Sequence, residues 1–379
     1  MGKPLEAARG EVNGAARSLA PRAREIAAAL LPDTIEDDAT TTTLHFDPLG
    51  VCACITPWNF PVSIAQSSTL PALVAGNTVV LKPTEETPLV VQAWAEFLIE
   101  RLPEDVLQVV HGADDQGKAL VAGDVDLVAF TGSREAGRHI MGACAPGLKR
   151  MVLELGGKDP LIVLPDADPA EAAAFAAGSS FGNAGQVCVS TERIFVPEEL
   201  ADDFVRELAA RADKLQLGDG LAPGTEMGPL VNVTQRDHVM EQIDEAVKAG
   251  AELVTGGEVR DGNFVAPTVV RNVTDAMSIM RDETFGPVAC VSTYANIDEA
   301  VERANDTPFG LGAIVLCRDE EAAQSVARRL HAGMVGINKG CGGAAGSPWV
   351  GARQSGYGYR GSREGHRQFT QARLLSRPK

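Results

Sequence analysis

Histidine is scarce in this chain, six residues in 379, and the seven cysteines (52, 54, 144, 188, 290, 317 and 341) contain no Cys-x-x-Cys pair. Both absences argue against a zinc site, and an odd cysteine count gives no disulfide framework. No apolar run approaches the roughly 20 residues that cross a bilayer. With no signal peptide either, the sequence reads as cytoplasmic, its thiols reduced. Cations are also few: 34 Lys and Arg against 51 Asp and Glu leave a net charge of -17. Such a balance disfavours nucleic acid or an anionic membrane as a partner. Aromatics make up 5% of the residues, whereas glycine contributes 39, which suits many tight turns between strands and helices.

What the chain does contain is alternation. With 45% hydrophobic and 22% charged residues it can bury a large core, divided among two or more domains. Residues 5–31, rich in Ala, Glu and Arg, predict a helix; Ala39–Phe46 predicts a polar strand, exposed or paired with a partner. Short apolar runs follow at 50–55, 78–81, 107–110, 127–130 and 151–153, with helical stretches near 64–75, 87–101, 115–122 and 134–144. That rhythm predicts a parallel sheet covered by helices on both faces. Cys52 and Cys54 alternate along the first of these strands and should share one face as core thiols. A second block begins at about Glu154. Its strands are expected at 161–164, 193–196, 252–255, 289–294, 313–316 and 334–338, and its helices at 169–180, 198–213, 234–249, 297–304 and 319–331. The Gly/Pro-rich stretch 340–359 reads as a long loop, and 369–376 as a last strand.

Two residues suggest chemistry. Glu154 ends an apolar run and precedes Gly156-Gly157, and thirty-four residues later Cys188 stands in the small-residue loop Phe181-Gly-Asn-Ala-Gly-Gln-Val-Cys188. A thiolate can attack a carbonyl carbon, and an activated water then releases the acyl group. One carboxylate within reach can serve both proton transfers. A cysteine in an apolar chain is more often an inert core residue, so the pair needs context. Pro57-Trp-Asn59-Phe-Pro61 holds an amide side chain between two backbone-fixing prolines, as an oxyanion donor requires; a plain strand-ending turn competes. Lys82-Pro-Thr-Glu85 puts a cation and an anion at a strand end, where such residues can hold the ribose of a dinucleotide. An acid on the ribose 2′-hydroxyl repels a 2′-phosphate, so Glu85 favours NAD over NADP; a solvated ion pair is the alternative. Ser133 opens a helical stretch and suits a pyrophosphate or a plain N-cap. No Gly-x-Gly-x-x-Gly fingerprint joins a strand to a helix in the first block. Glu283-Thr-Phe285 sets an acid beside an aromatic in a turn, fit for a ribose and a ring or for structure alone.

In this order, Pro57-Trp-Asn-Phe-Pro61, Lys82-Pro-Thr-Glu85, Phe130-Thr-Gly-Ser133, Glu154-Leu-Gly-Gly-Lys158, Gly185-Gln-Val-Cys188, Glu283-Thr-Phe-Gly-Pro287 and Ser355-Gly-Tyr-Gly358 resemble the aldehyde dehydrogenase superfamily. The likeness covers nearly the whole chain. It implies an α/β fold: a Rossmann-like parallel-sheet NAD-binding domain (1–38 and 51–153), a second α/β catalytic domain (154–345) and a small β oligomerisation arm (39–50 and 363–379). It implies Cys188 as nucleophile, forming a thiohemiacetal and then, after hydride transfer to the nicotinamide, a thioester. Asn59 and the Cys188 backbone N–H would hold the oxyanion, and Glu154 would activate the water. Cofactor contacts would come from Ile55, Thr56, Trp58, Lys82, Glu85, Ser133, Leu155, Gly156, Glu283 and Phe285. The expected cofactor is NAD, the partner a small-molecule aldehyde, and the assembly a homo-oligomer, dimer or tetramer.

Two departures from the family pattern stand out. Members usually carry a longer N-terminal region, so early elements of the cofactor domain are expected to be missing here; a catalytically impaired partner subunit is one alternative this raises. A CoA-acylating relative is the other, disfavoured because Glu154 would then be superfluous. Past Pro61 the helix carries Ser63, Ser67 and Ser68, where relatives often place bulky residues. A polar substrate tunnel follows, for a semialdehyde or other polar aldehyde, with Arg353 or Arg360 as its counter-charge.

Overall fold

The strand Val51–Thr56 reads Val-Cys-Ala-Cys-Ile-Thr, apolar on both faces, and such a run is stable only between two layers of helix. The computed structural model describes residues 1–379 and supplies those layers. Odd and even positions separate. Cys52, Cys54, Val79, Leu81, Leu127 and Ala129 enter one buried cluster, and Ala53, Ile55, Val128, Phe130 and Leu153 enter another. The two cysteines are core thiols on one face, as their spacing predicts. The sheet has six strands in the order Gly356–Tyr357, Arg150–Glu154, Leu127–Thr131, Val51–Thr56, Thr78–Pro83, Leu107–Val109. All pairs are parallel except that of Gly356–Tyr357 with Arg150–Glu154. The first strand lies in the middle; the next two stack to one side and the following two to the other. The strand order therefore reverses between Val51–Thr56 and Leu127–Thr131.

Helix ends are set by local chemistry. Pro61 and Pro88 open the helices Pro61–Val74 and Pro88–Ile99, where a missing N–H costs nothing. Ser133 accepts from the Ala136 N–H at 3.2 Å and caps Arg134–Cys144. This sheet belongs to a compact unit made of Arg9–Leu155, Gly343–Val350 and Gly356–Lys379. The same unit holds an antiparallel sheet of Asp33–Glu36, Thr40–Pro48 and Thr370–Pro378. Thr370–Pro378 pairs along nine residues of Thr40–Pro48 and leaves its other edge open, with Leu374 and Leu375 exposed.

The other unit comprises Met1–Ala8, Gly156–Gly342 and Gly351–Ser355. Its sheet runs Glu252–Thr255, Thr268–Arg271, Val288–Tyr294, Thr191–Pro197, Asp159–Val163, Gly312–Leu316, Met334–Ile337. Six strands are parallel; Glu252–Thr255 is an antiparallel edge. Thr268–Arg271 was not expected from sequence, being four residues placed directly after Pro267 and recognisable only through its pairing with Val288–Tyr294. The expected helix at 319–331 spans only Glu320–Ala327, and the expected loop at 340–359 contains the turn Arg353–Ser355 and the short strand Gly356–Tyr357.

Asp159, the first residue of its strand, is 1% exposed, and its Oδ2 has no hydrogen-bond partner. Burial pushes its carboxyl up to about 8, against the pull of the Gly312 N–H and Arg193. The folded chain then keeps a proton that the unfolded chain releases near pH 4. The stability tied to this proton is complete below pH 4 and is lost progressively as the pH rises to about 8. Asp159→Asn is expected to melt with the parent near pH 4 and higher by roughly 5 °C at pH 8, read by calorimetry across that range. Coincident melting curves at pH 8 would refute the assignment.

Candidate active site

Cys188 follows a loop whose backbone is forced into unusual conformations. Asn183 and Ala184 take φ of 54° and 57°, and Gly185 takes 70°. Left-handed conformations at non-glycine residues cost about 1–3 kcal/mol each and need surrounding structure to hold them. That structure is present. A Cβ on Gly185 would collide with the Gly286 carbonyl. Gln186 accepts from the Val231 N–H at 2.9 Å and donates to the Asn183 carbonyl at 3.1 Å. Ser190 is anchored to the Ser179 carbonyl at 3.0 Å. Gly157 lies so close that a Cβ there would stand 2.7 Å from the Cys188 carbonyl. The Cys188 side chain is only half-buried.

The other six thiols are pushed up by burial, to about 12 for Cys54, Cys290 and Cys341. Each is thereby held in the thiol form at neutral pH.

Glu283 and Phe285 lie in the same unit. The Glu283 carboxylate fills the space a Gly156 side chain would need, and its Oε1 accepts from the Gly157 N–H at 3.0 Å. Burial of the carboxyl group and the charge of Glu192 push it up to about 8, partly offset by the Gly157 N–H and Lys158. Phe285 takes a left-handed φ of 50°. Beneath this turn lies a buried ion pair that the sequence reading had not singled out. Lys158 Nζ meets Glu192 Oε2 at 2.5 Å. Glu192 also accepts from the Thr284 N–H at 2.8 Å and the Phe285 N–H at 2.9 Å. The available signal was the charged pair Glu192-Arg193 inside the fully buried strand Thr191–Pro197.

The six-stranded unit carries the remaining candidates. The Glu154 carboxylate, 6% exposed, accepts through Oε2 from the Arg360 guanidinium and from Thr131 Oγ1 at 3.2 Å. Its Oε1 has no partner. Arg360 also donates to Ser67 Oγ at 2.9 Å and Ser68 Oγ at 2.7 Å. Arg353 donates to the carbonyls of Asn305 and Thr307 and to His331 Nδ1, each at 2.6 Å. The expectation of a free counter-charge is therefore corrected for Arg360, whose guanidinium is paired with Glu154; Arg353 is exposed and donates only to carbonyls and a histidine. Asn59 is buried and Trp58 partly exposed, just before the Pro61–Val74 helix.

At the carboxyl edge of the sheet, Ile55 and Thr56 register with Lys82 and Pro83. Lys82 is buried and stands 3.6 Å from a half-exposed Glu85. Leu155 packs on Gly137, where a Cβ would meet its Cδ2 at 2.5 Å. Open α/β sheets bind dinucleotides where the strand order reverses. The Thr56 hydroxyl, buried and without a hydrogen-bond partner, lies at that point. An orphaned hydroxyl, a cation, a carboxylate and the helix start at Ser133 fit a nucleotide coenzyme. The one Gly-x-Gly-x-x-Gly spacing, Gly356–Gly361, lies elsewhere and delivers Arg360 instead.

The family described as the aldehyde dehydrogenase family matches residues 1–375. Glutarate-semialdehyde dehydrogenase of Pseudomonas putida is 38% identical over 380 residues, 99% of this chain and 79% of that protein. The crystal structure of an Escherichia coli NADP-dependent enzyme superposes with a TM-score of 0.95 at 37% identity, covering 100% of this chain and 80% of that one. The Staphylococcus aureus betaine aldehyde dehydrogenase in complex with NAD+ gives 0.93 at 34% identity, covering 99% and 76%. No helix is long and apolar enough to cross a membrane. Motifs, strand order and matches spanning nearly all of the chain agree: it belongs to the aldehyde dehydrogenase family and is an NAD(P)-dependent oxidoreductase of aldehydes.

Proposed function

We propose that Cys188 is the nucleophile of this oxidation, Asn59 an oxyanion donor and Glu154 the base for hydrolysis. The observation that carries the reading is the contrast among cysteines. Cys52, Cys54, Cys144 and Cys290 are buried; of the three half-exposed thiols, Cys317 and Cys341 are pushed up by desolvation, and Cys188 follows the run of left-handed residues Asn183, Ala184 and Gly185. The Cys188 thiol gives its proton to Glu154, which passes it to solvent; the sulfur bonds to the aldehyde carbon as the C=O π pair moves onto oxygen as negative charge. The Asn59 amide and the Cys188 N–H receive that charge. NAD(P), when bound, supplies the hydride acceptor that leaves a thioester on Cys188. A water then gives a proton to Glu154 while its oxygen bonds to the acyl carbon. The carbon–sulfur bond breaks, the electron pair returns to sulfur, and the acid departs.

Lys82 and Glu85 would hold one ribose, Glu283 the other, and Ser133 with its helix start the pyrophosphate. Glu85 favours NAD over NADP, since a carboxylate repels a 2′-phosphate. The name of the Pseudomonas putida relative supports a carboxylated aldehyde as the preferred class. The open edge of Thr370–Pro378 supports a homo-oligomer.

Purified protein given NAD and a panel of aldehydes is expected to form NADH, fastest with carboxylated substrates, and Cys188→Ala is expected to form none. Turnover surviving in that variant, or a clear preference for long unsubstituted alkanals, would count against the respective parts of the reading.

A second expectation concerns Glu283. Ribose hydroxyls donate to a carboxylate, yet this carboxyl stays protonated up to about pH 8. NAD affinity should therefore rise as the pH increases from 6 to 8, by up to about tenfold per pH unit, and level off above. Calorimetric titration should show the slope in the parent and not in Glu283→Gln; a slope retained in the variant would assign it to another group.

A further inference from the structure

We infer that Arg360 is the positioning residue for the hydrolytic half of the reaction, acting with Ser67 and Ser68 through Glu154. The inference rests on the reading of Glu154 as the base. Three observations support it. First, the guanidinium is built into place. The Arg360 backbone exchanges hydrogen bonds with Trp349, at 2.7 Å from the Trp349 N–H and 3.4 Å from its own. Gly358 and Gly361 on either side take φ of 68° and 71°. A Cβ on Gly361 would stand 2.8 Å from the Ser347 carbonyl, so the turn that presents Arg360 admits only glycine there. Just upstream, Gly356 registers directly opposite Glu154 in the antiparallel edge pair. One segment therefore both extends the sheet beside Glu154 and supplies its counter-charge.

Second, the donors divide cleanly. One terminal nitrogen of Arg360 takes Ser67 and Ser68, and the other takes Glu154 Oε2. The serine hydroxyls fix the plane of the guanidinium, and the guanidinium fixes the plane of the carboxylate. A lysine ammonium has no such rigid fork.

Third, the carboxylate is satisfied on one side only. Oε2 accepts from Arg360 and from Thr131; Oε1 is buried and unpartnered. A buried oxygen left bare costs free energy, and one that must take a proton from water has to be bare. Arg360 thus holds Glu154 by the oxygen that does no chemistry and leaves the other as the single open acceptor. Losing the cation would leave a buried carboxylate uncompensated and free to turn.

The test separates acylation from deacylation without coenzyme. With p-nitrophenyl acetate, the Cys188 sulfur bonds to the acetyl carbon as the ester carbon–oxygen bond breaks, and nitrophenolate leaves in a burst. Water then releases acetate by the Glu154 step, which sets the steady rate. In Arg360→Met the burst amplitude and rate should stay within about twofold of the parent, and the steady rate should fall at least tenfold. Arg360→Lys should recover part of that loss. Hydroxylamine, a nucleophile that needs no base, should restore the steady rate of Arg360→Met. A burst and steady rate that fall together, or neither falling, would overturn the proposal. Glu154→Gln run alongside keeps the two readings apart: a normal steady rate there would sink the base assignment itself. Should Arg360→Met fail to fold, the double change Ser67→Ala and Ser68→Ala is expected to slow deacylation severalfold with its burst intact, and an unchanged steady rate would refute the clamp.

Discussion

The Lys158–Glu192 ion pair is the interaction on which the geometry around Cys188 depends. Both side chains are almost wholly buried, at 1% and 3% exposure. Taking two charges out of water costs several kcal/mol per ion, and the cost is met only when the remaining lone pairs and protons find partners. Here they do. Glu192 accepts from two successive backbone N–H groups, and Lys158 donates to Thr284 Oγ1 at 2.9 Å. Thr284 Oγ1 in turn donates to Gln242 at 2.6 Å. Four distant segments are joined by one charge. A line of contacts runs outward from it: Glu192 fixes Phe285 in its left-handed conformation, Phe285 sets the Gly286 carbonyl, and that carbonyl fills the space beside Gly185, three residues before Cys188. The strain in the Cys188 loop is thus held in place by a buried, hydrogen-bonded polar network.

Glu154 belongs to the opposite class of buried acid. Every oxygen of Glu192 is hydrogen-bonded, as expected of a group whose purpose is to hold backbone. Glu154 is bonded through one oxygen only. Glu283 accepts a single N–H from Gly157 through Oε1. The distinction is physical: a saturated carboxylate can organise a fold but has no lone pair to offer water, whereas an open one destabilises the fold slightly and can accept a proton. Residue type alone does not separate these acids; the count of hydrogen bonds at each oxygen does.

Much of this was legible in the chain. Two-residue periodicity gave the faces of Val51–Thr56, and strand–helix alternation gave both parallel sheets. Cys188 and Glu154 stood out because each lies in a small-residue setting unlike a core. The rest was hidden for definable reasons. Arg360 is 206 residues from Glu154, and a lone cation in a glycine-rich stretch looks the same whether it meets a substrate, solvent or a buried acid. Glu192 was visible beside Arg193 in a short strand, yet its partners come from two other segments, at Lys158 and at Thr284–Phe285. Thr268–Arg271 carries too few residues for periodicity to register, and its identity as a strand comes wholly from its neighbour.

The stretch from Glu154 to Asp159 shows how densely such information can be packed. Neither Gly156 nor Gly157 takes a positive φ, so conformational freedom does not explain the pair; space does. A side chain at Gly156 would displace the Glu283 carboxylate, and one at Gly157 would meet the Cys188 carbonyl. Leu155 closes against Gly137, Lys158 neutralises Glu192, and Asp159 begins the next strand with a proton retained by burial. Six consecutive residues therefore answer to six different neighbours. An alanine at either glycine is a change of one methyl group. At Gly156 it would push against an acid proposed to bind coenzyme, and at Gly157 against the backbone of the cysteine proposed as nucleophile.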